Sequence, residues 1–380
     1  IRMGVDVVLV DYPCVVMDAL NIKSQVSDRK RQENREMDSP RHEANDNAAY
    51  LREQVKTLIK TIENTDYNKA RTAAMALMVL PRRYTAPPLL KLLRDSNPLV
   101  KQNAVWALGF CGDDSMAATI KSLLKDRNTE VRREAVLALK RLNASQSAPA
   151  LMEALKTETE QGVKYDIART LGTFGDRGAV FVLMNVLTKE KSWYVKSGCV
   201  EALGNIGGDM AMNALAKILV TDAGEDAGWA RTKAAWALTA IGPKSIPLLV
   251  RALNDKEEGT RRRAGWALVK LGAPAVKALI SSLREINTYT RERAAQTLGW
   301  IGNESAVTSL IWALKDKEPA VVSSAAWALG RIGSPKALAA LQELVNNENV
   351  DVRENAAEAI ERIMSNKEKM AYYTETRQKP

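Results

Sequence analysis

Tryptophan and basic residues recur together in the second half of the chain, at Trp236, Trp266, Trp300 and Trp327 and at Arg262, Arg263, Lys270, Arg293 and Arg331. The chemistry these types offer is recognition. An indole sheds a large wetted surface on contact, and a guanidinium presents a fork of donors to a carboxylate or phosphate. Residues for covalent or acid–base work are scarce. A single histidine, His42, stands in 380 residues, which excludes His-based triads and most metal-ligand clusters. Cys14, Cys111 and Cys199 are too scattered for a disulfide framework or a zinc knuckle, so a reducing compartment, the cytoplasm, is expected. The glycine run GNIGG at 204–208 follows no strand and matches the helix ends of the repeats described below, not a phosphate loop. No cofactor and no metal are expected.

Those side chains need elements to position them. The net charge of +10 and a 46% hydrophobic content suit a soluble globular chain. With three Phe against eight Trp, the chain suggests many small Ala/Leu cores. The apolar stretch 5–20 is broken by Asp6, Asp11, Pro13 and Asp18 and is neither a signal peptide nor a spanning helix, so no membrane partner is expected. The strand-like run Val7 to Val10 has nothing to pair with. The first residue is Ile, which reads as a fragment, a processed form or an extension upstream of Met3 or Met37. Dense charge over 24–47 makes 1–47 an N-terminal extension, largely disordered.

From 48 onward the chain repeats. With Val321 as offset zero of one unit, equivalent residues fall at 69, 100, 131, 163, 195, 230, 260, 290 and 352, spaced by 30 to 35 residues. Each unit reads as two helices, and small or aliphatic residues at offsets 0, 4, 7, 8 and 11 of the second share one helical face. Glycine at offset 12 (Gly112, Gly175, Gly207, Gly242, Gly272, Gly302, Gly333) ends that helix in a left-handed residue. Asp95, Asp126, Asp255 and Asp316 precede it as expected caps. The spacing predicts an all-α solenoid of about ten helix pairs over 48–365, with a right-handed twist, followed by a polar tail over 366–380. Glu354, Glu358, Glu361 and Arg362 mark the last unit as a cap.

This pattern resembles the HEAT repeat, in the form of the phycobilisome-lyase HEAT-like repeat: an Asp, then Val-Arg, then Ala-x-x-Ala-Leu-Gly-x-Ile-Gly. The family's arginine matches Lys101, Arg132, Lys164, Lys196, Arg231, Arg261, Arg291 and Arg353, while Val322 departs from it. The resemblance implies a ladder of ion pairs between neighbouring repeats, interrupted at Val322. It also implies a possible chromophore lyase or lyase partner subunit. The iron site of the related deoxyhypusine hydroxylase type needs His-Glu pairs, and no histidine lies within the repeats.

At about 100° per residue, offsets 2, 3, 6 and 10 form a second stripe away from the core. The resemblance places this stripe on the concave side. In the units at 100 to 195 it carries Arg133, Arg141 and Arg169 against Glu134, Asp166 and Glu201, a net of zero. In the units at 230 to 321, Lys233, Arg262, Arg263, Lys270, Arg293 and Arg331 face only Glu292, a net of five positive charges. The expected site is therefore the Trp/Arg stripe of Trp236 to Arg331, with Trp106 and Phe110 as secondary candidates. An indole at offset 6 can instead cover small residues of the next repeat. The leading function is a non-catalytic scaffold holding an acidic or aromatic-rich protein or peptide. Nucleic-acid binding along the basic groove is the less favoured alternative.

Overall fold

Alanine and leucine repeating at helical spacing, with glycine or proline at many of the breaks, fold the described residues into helices. In the computed structural model the described residues are 40–63, 66–220 and 227–377, with side chains described over 48–63, 66–220 and 228–365. The Val7 to Val10 run, the expected disorder up to residue 39 and the His42 side chain lie outside them. Among the described residues no strand occurs, and no helix is long and apolar enough to cross a membrane.

The first unit, to Ala202, contains α1 (Pro40–Ile62), α2 (Tyr67–Met78), α3 (Arg82–Leu92), α4 (Pro98–Cys111), α5 (Ala117–Ser122), α6 (Thr129–Arg141), α7 (Ala148–Thr157), α8 (Gln161–Phe174), α9 (Ala179–Lys189) and most of α10 (Trp193–Ile206). The second, from Leu203, contains α11 (Gly208–Val220), α12 (Ala227–Ile241), α13 (Ile246–Ala252), α14 (Glu258–Leu271), α15 (Ala273–Ser282), α16 (Thr288–Ile301), α17 (Val307–Ala313), α18 (Pro319–Ile332), α19 (Leu338–Gln342) and α20 (Val350–Arg377). Odd and even helices pair, so the chain is an all-α solenoid whose described residues make ten pairs. The first pair begins at Pro40, eight residues before the expected start.

Even-numbered helices pack side by side, α4 on α6 and α6 on α8 in the first unit, and α12 through α20 in the second. Their cores are shallow: Val321, Ala325, Ala328 and Leu329 are buried, as are their counterparts at the other offsets zero, four, seven and eight of α16. Cys199 is one such core residue, and burial pushes its thiol up to about 12, so it serves as a small hydrophobe. The closest approach comes from the glycine that follows Ala-Leu in the repeat motif. Glycine at offset 9 meets alanine at offset 7 of the next repeat, and a Cβ on Gly330 would stand 2.6 Å from the Ala359 Cα. Gly330→Ala should therefore force α18 and α20 apart and cost about 1–3 kcal/mol. Gly162→Ala, where nothing lies within 4 Å, is the control and should gain roughly 0.5–1 kcal/mol. Equal melting temperatures for the two variants would contradict the close-packing account.

Six of the seven expected helix-end glycines have positive φ, as at Gly333 (φ 77). Gly112 does not: its backbone is extended at φ −83, and Asn143 (φ 51) holds the left-handed position that closes the next repeat. The aspartates also differ from expectation. Asp95, Asp126, Asp255 and Asp316 do not cap the helices. Each accepts the N–H of the residue two further on, closing the preceding turn, while Asn97, Asn128, Glu257 and Asn287 are caps that accept from the helix itself. The cap must sit beside the first free N–H groups, and the aspartates stand two residues too early.

Asp126 and Asp316, with three glutamates, also build the ladder. Lys101 bonds Asp126, Arg132 bonds Glu158 at 2.8 Å, Lys164 bonds Glu190 at 2.7 Å, Arg231 bonds Glu257 at 2.5 Å and Arg291 bonds Asp316 at 2.7 Å. Each cation thus reaches an acid of the following repeat. At the interrupted rung both charges are gone together, because Val322 is buried and Asn347 occupies the acid's position. Arg261 differs again: its guanidinium lies over the Tyr289 ring at 4.3 Å, and Glu285 stands exposed with no ion pair to it among the described residues.

Candidate functional site

Packing offsets 0, 4, 7 and 8 into the core leaves offsets 6 and 10 of α12, α14, α16 and α18 on the surface. Trp236 and Trp266, both at offset 6, lie side by side with ring centroids 6.0 Å apart and planes inclined by 34°. Gln296 takes offset 6 in the next repeat, which would break the aromatic row. Trp300 at offset 10 of α16 crosses instead to Trp327 of α18, with centroids 5.4 Å apart and an edge-on angle of 61°. Trp327 seats on Gly299, where a Cβ would come within 2.8 Å of its Cζ3.

Cations sit on these rings. The Arg331 guanidinium is 4.1 Å from the Trp300 centroid and 5.2 Å from that of Trp327, and its Nε donates to the Gly299 carbonyl at 3.3 Å. Lys270 stands 5.7 Å over Trp266, and Lys233 5.1 Å over Trp236. These cation–π contacts hold the rings in place while Trp236, Trp266 and Trp300 stay exposed, Trp300 at 56%. Trp327 is half-buried. A cleft of about 310 Å³ lies at Trp300 and Trp327, lined also by Gln296, Ser323, Ser324 and Asn355. The Gln296 amide donates to Glu292 and Ser324, both at 3.0 Å, and the Asn355 amide to Ser323 and the Asp351 carbonyl, both at 2.9 Å. These four residues occupy stripe offsets, but they are uncharged, so a count of charges passed over them.

Two of the expected binding arginines are largely committed within the protein. Arg263 donates from Nε to the Thr232 hydroxyl at 2.9 Å, and its guanidinium lies against Gly228 and Gly259. Arg293 runs its stem along Gly265, and burial pulls its guanidinium below the usual arginine range despite the adjacent Glu292. Both brace neighbouring repeats, leaving Arg262, Lys270 and Arg331 as the exposed cations. None of the six basic stripe residues of this unit forms an ion pair among the described residues.

The first unit differs at the same offsets. Arg133 pairs with Asp166 at 2.8 Å, Arg141 with Glu134 at 2.6 Å and Arg169 with Glu201 at 3.0 Å, so the charges of these repeats neutralise one another, while Arg71 lies over an indole. Trp106 is only 5% exposed, with the Arg71 guanidinium 3.7 Å over its ring. It fills the space between repeats and is not a docking anchor, which corrects its candidacy. Phe110 is exposed beside it, at 4.9 Å between centroids, and Arg141 lies 4.5 Å over its ring.

HEAT repeats match the sequence over residues 55–140, 86–170, 148–231, 223–287 and 276–361. The chain belongs to the HEAT-repeat family. No curated protein matches this HEAT-repeat chain in sequence. In fold it is similar to the karyopherin Kap121p bound to the extreme C-terminus of the protein phosphatase Cdc14p, with a TM-score of 0.55 and 14% identity over 81% of this chain and 41% of Kap121p. Kap95p, in a structure with RanGDP, gives 0.50 and 14% over 91% of this chain and 54% of Kap95p. Human deoxyhypusine hydroxylase in complex with glycerol is 24% identical over 66% of this chain and 97% of the enzyme, at a TM-score of 0.30. The karyopherin likeness is one of fold. The HEAT-repeat chain carries three exposed indoles, Trp236, Trp266 and Trp300, beside cations that form no ion pair among the described residues.

Proposed function

We propose that the chain is a non-catalytic scaffold that holds an acidic, aromatic-containing protein segment on the stripe of Trp236, Trp266, Trp300, Trp327, Arg262, Lys270 and Arg331, as the concave face of its repeats. The observation that carries this reading is the contrast in pairing: the stripe cations of the repeats at 131 and 163 are matched by acids, and those of the repeats at 230 to 321 form no ion pair among the described residues. An exposed indole beside an unmatched cation favours a partner that supplies both apolar surface and carboxylates. Kap121p, similar in fold, is bound to Nup53p in one structure and to the extreme C-terminus of Cdc14p in another, and binding of a protein segment is proposed here as well. The reading places the protein in the cytoplasm, where the free thiols of Cys111 and Cys199 persist. Membership of the phycobilisome-lyase subgroup, and the lyase activity it implies, has no supporting feature at this site.

The test is affinity capture with the intact chain followed by titration of the retained protein. Trp266→Ala should weaken its binding by about 2 kcal/mol or more while leaving the melting temperature nearly unchanged. Arg262→Glu should weaken it as well. A lowered melting temperature with unaltered affinity would make Trp266 a packing residue. A retained nucleic acid whose affinity falls steeply with salt would replace the protein partner with a phosphate backbone.

A further inference from the structure

Trp312 belongs to no part of the stripe. It stands near the end of a first helix, α17, 58% exposed, with the Arg284 guanidinium 5.6 Å over its ring. Together with Arg291, Lys315, Asp316 and Lys317 it lines a cleft of about 410 Å³ on the turns that follow α15 and α17. This volume lies within the range of ligand pockets, about 300–1,000 Å³. The charges of this cleft are unevenly committed. Asp316 receives Nε and Nη2 of Arg291 at 2.7 and 2.9 Å and the N–H of Glu318 at 3.0 Å, so its oxygens are already engaged. Arg284, Lys315 and Lys317 form no ion pair among the described residues. Glu285 is the one further acid lining the cleft, which leaves two positive charges unmatched.

The same turn carries apolar surface. Ile286 is 96% exposed, and Tyr289 is exposed above the buried Arg261. An isolated aliphatic side chain so open to water gains most from an apolar partner, and the three cations of the cleft call for carboxylates. A phosphate backbone supplies the charge without the aliphatic contact.

We propose that the cleft at Trp312 is a second docking surface, which takes an acidic polypeptide segment carrying an apolar side chain, its carboxylates on Arg284, Lys315 and Lys317 and its apolar group against Trp312 and Ile286. This surface is built from turns and first helices and is independent of the stripe on the second helices. Its failure and that of the stripe are therefore separable.

The probe is a fluorescein-labelled peptide of repeated Glu-Glu-Leu carrying one photo-crosslinking residue, titrated against the full chain. The expected result is saturable binding with crosslinks at 283–289 and 312–317. Trp312→Ala and the double variant Lys315→Glu/Lys317→Glu should each lower affinity about tenfold or more, with Trp266→Ala without effect on these crosslinks. Melting temperatures should not move, because the three substituted side chains are not buried. Crosslinks confined to α12, α14, α16 and α18 would overturn this surface while supporting the stripe. Absence of saturable binding, or an affinity in the Trp312 and lysine variants unchanged from that of the unsubstituted chain, would overturn it as well. Displacement of the peptide by oligouridylate at lower concentration than by unlabelled peptide would overturn the polypeptide assignment.

Discussion

Asp316→Ala is expected to lower the stability of the chain by about 3–5 kcal/mol, the usual cost of leaving a buried charge without its partner. The Arg291–Asp316 pair has both side chains 8% exposed and is held by two parallel bonds, so water screens it little. Removing the carboxylate also frees the Glu318 N–H, which closes the turn before α18. Arg291 would keep its Nη1 bonds to the Glu285 and Ile286 carbonyls and so could not swing out to solvent without further loss. Denaturant titration followed by circular dichroism measures the effect. The double replacement Arg291→Met/Asp316→Leu should recover most of it, since apolar pairs of similar volume often match or exceed a buried ion pair. A loss under about 1 kcal/mol for the single variant would place the pair with solvent-exposed bridges. The Val322 and Asn347 rung already shows that the fold tolerates the joint loss of both charges.

Acid should unfold the chain through this ladder. Burial alone would raise the carboxyls of Asp126, Glu158 and Asp316, but bonds from Lys101, Arg132, Arg291 and backbone N–H groups outweigh it and hold them below the ordinary carboxylate range. The Lys164 bond lowers Glu190, and the Thr260 hydroxyl with Arg231 nearby lowers Glu257. A carboxyl depressed in the folded state stabilises that state above its unfolded value, here 3.8 for Asp and 4.5 for Glu. The stabilisation is lost as pH falls through the folded value. The melting temperature should therefore be nearly level from neutral pH down to about pH 5 and fall steeply below about pH 4. Because all five rung carboxyls are shifted in the same direction, their losses add as pH falls. The Asp316→Ala variant should show a shallower decline, having lost one contributor. A melting temperature that holds or rises between pH 5 and pH 3 would contradict the assignment of these groups.

The ten helix pairs, their core offsets and most of their helix ends were legible in the residues alone, because each depends on neighbours within one or two helical turns. Alanine and leucine at offsets 4, 7 and 8 select the buried face, and Gly333 or Gly302 ends the helix wherever the order of residues changes little around it. Pairings across repeats were not legible in this way. Trp106 and Trp266 share offset 6, yet the first is covered by Arg71 of the preceding repeat and the second is left open beside Trp236. Arg133 and Arg262 both lie at offset 2, yet only Arg133 finds an acid, Asp166, across the helix contact. Trp300 reaches Trp327 diagonally, from offset 10 to offset 6, and the motif glycine Gly330 shows its partner, Ala359, only once α18 and α20 pack. Local spacing sets which face of a helix is buried. Which side chains then meet depends on how closely two helices approach and how far each side chain reaches, and both are settled only when residues about thirty positions apart pack together.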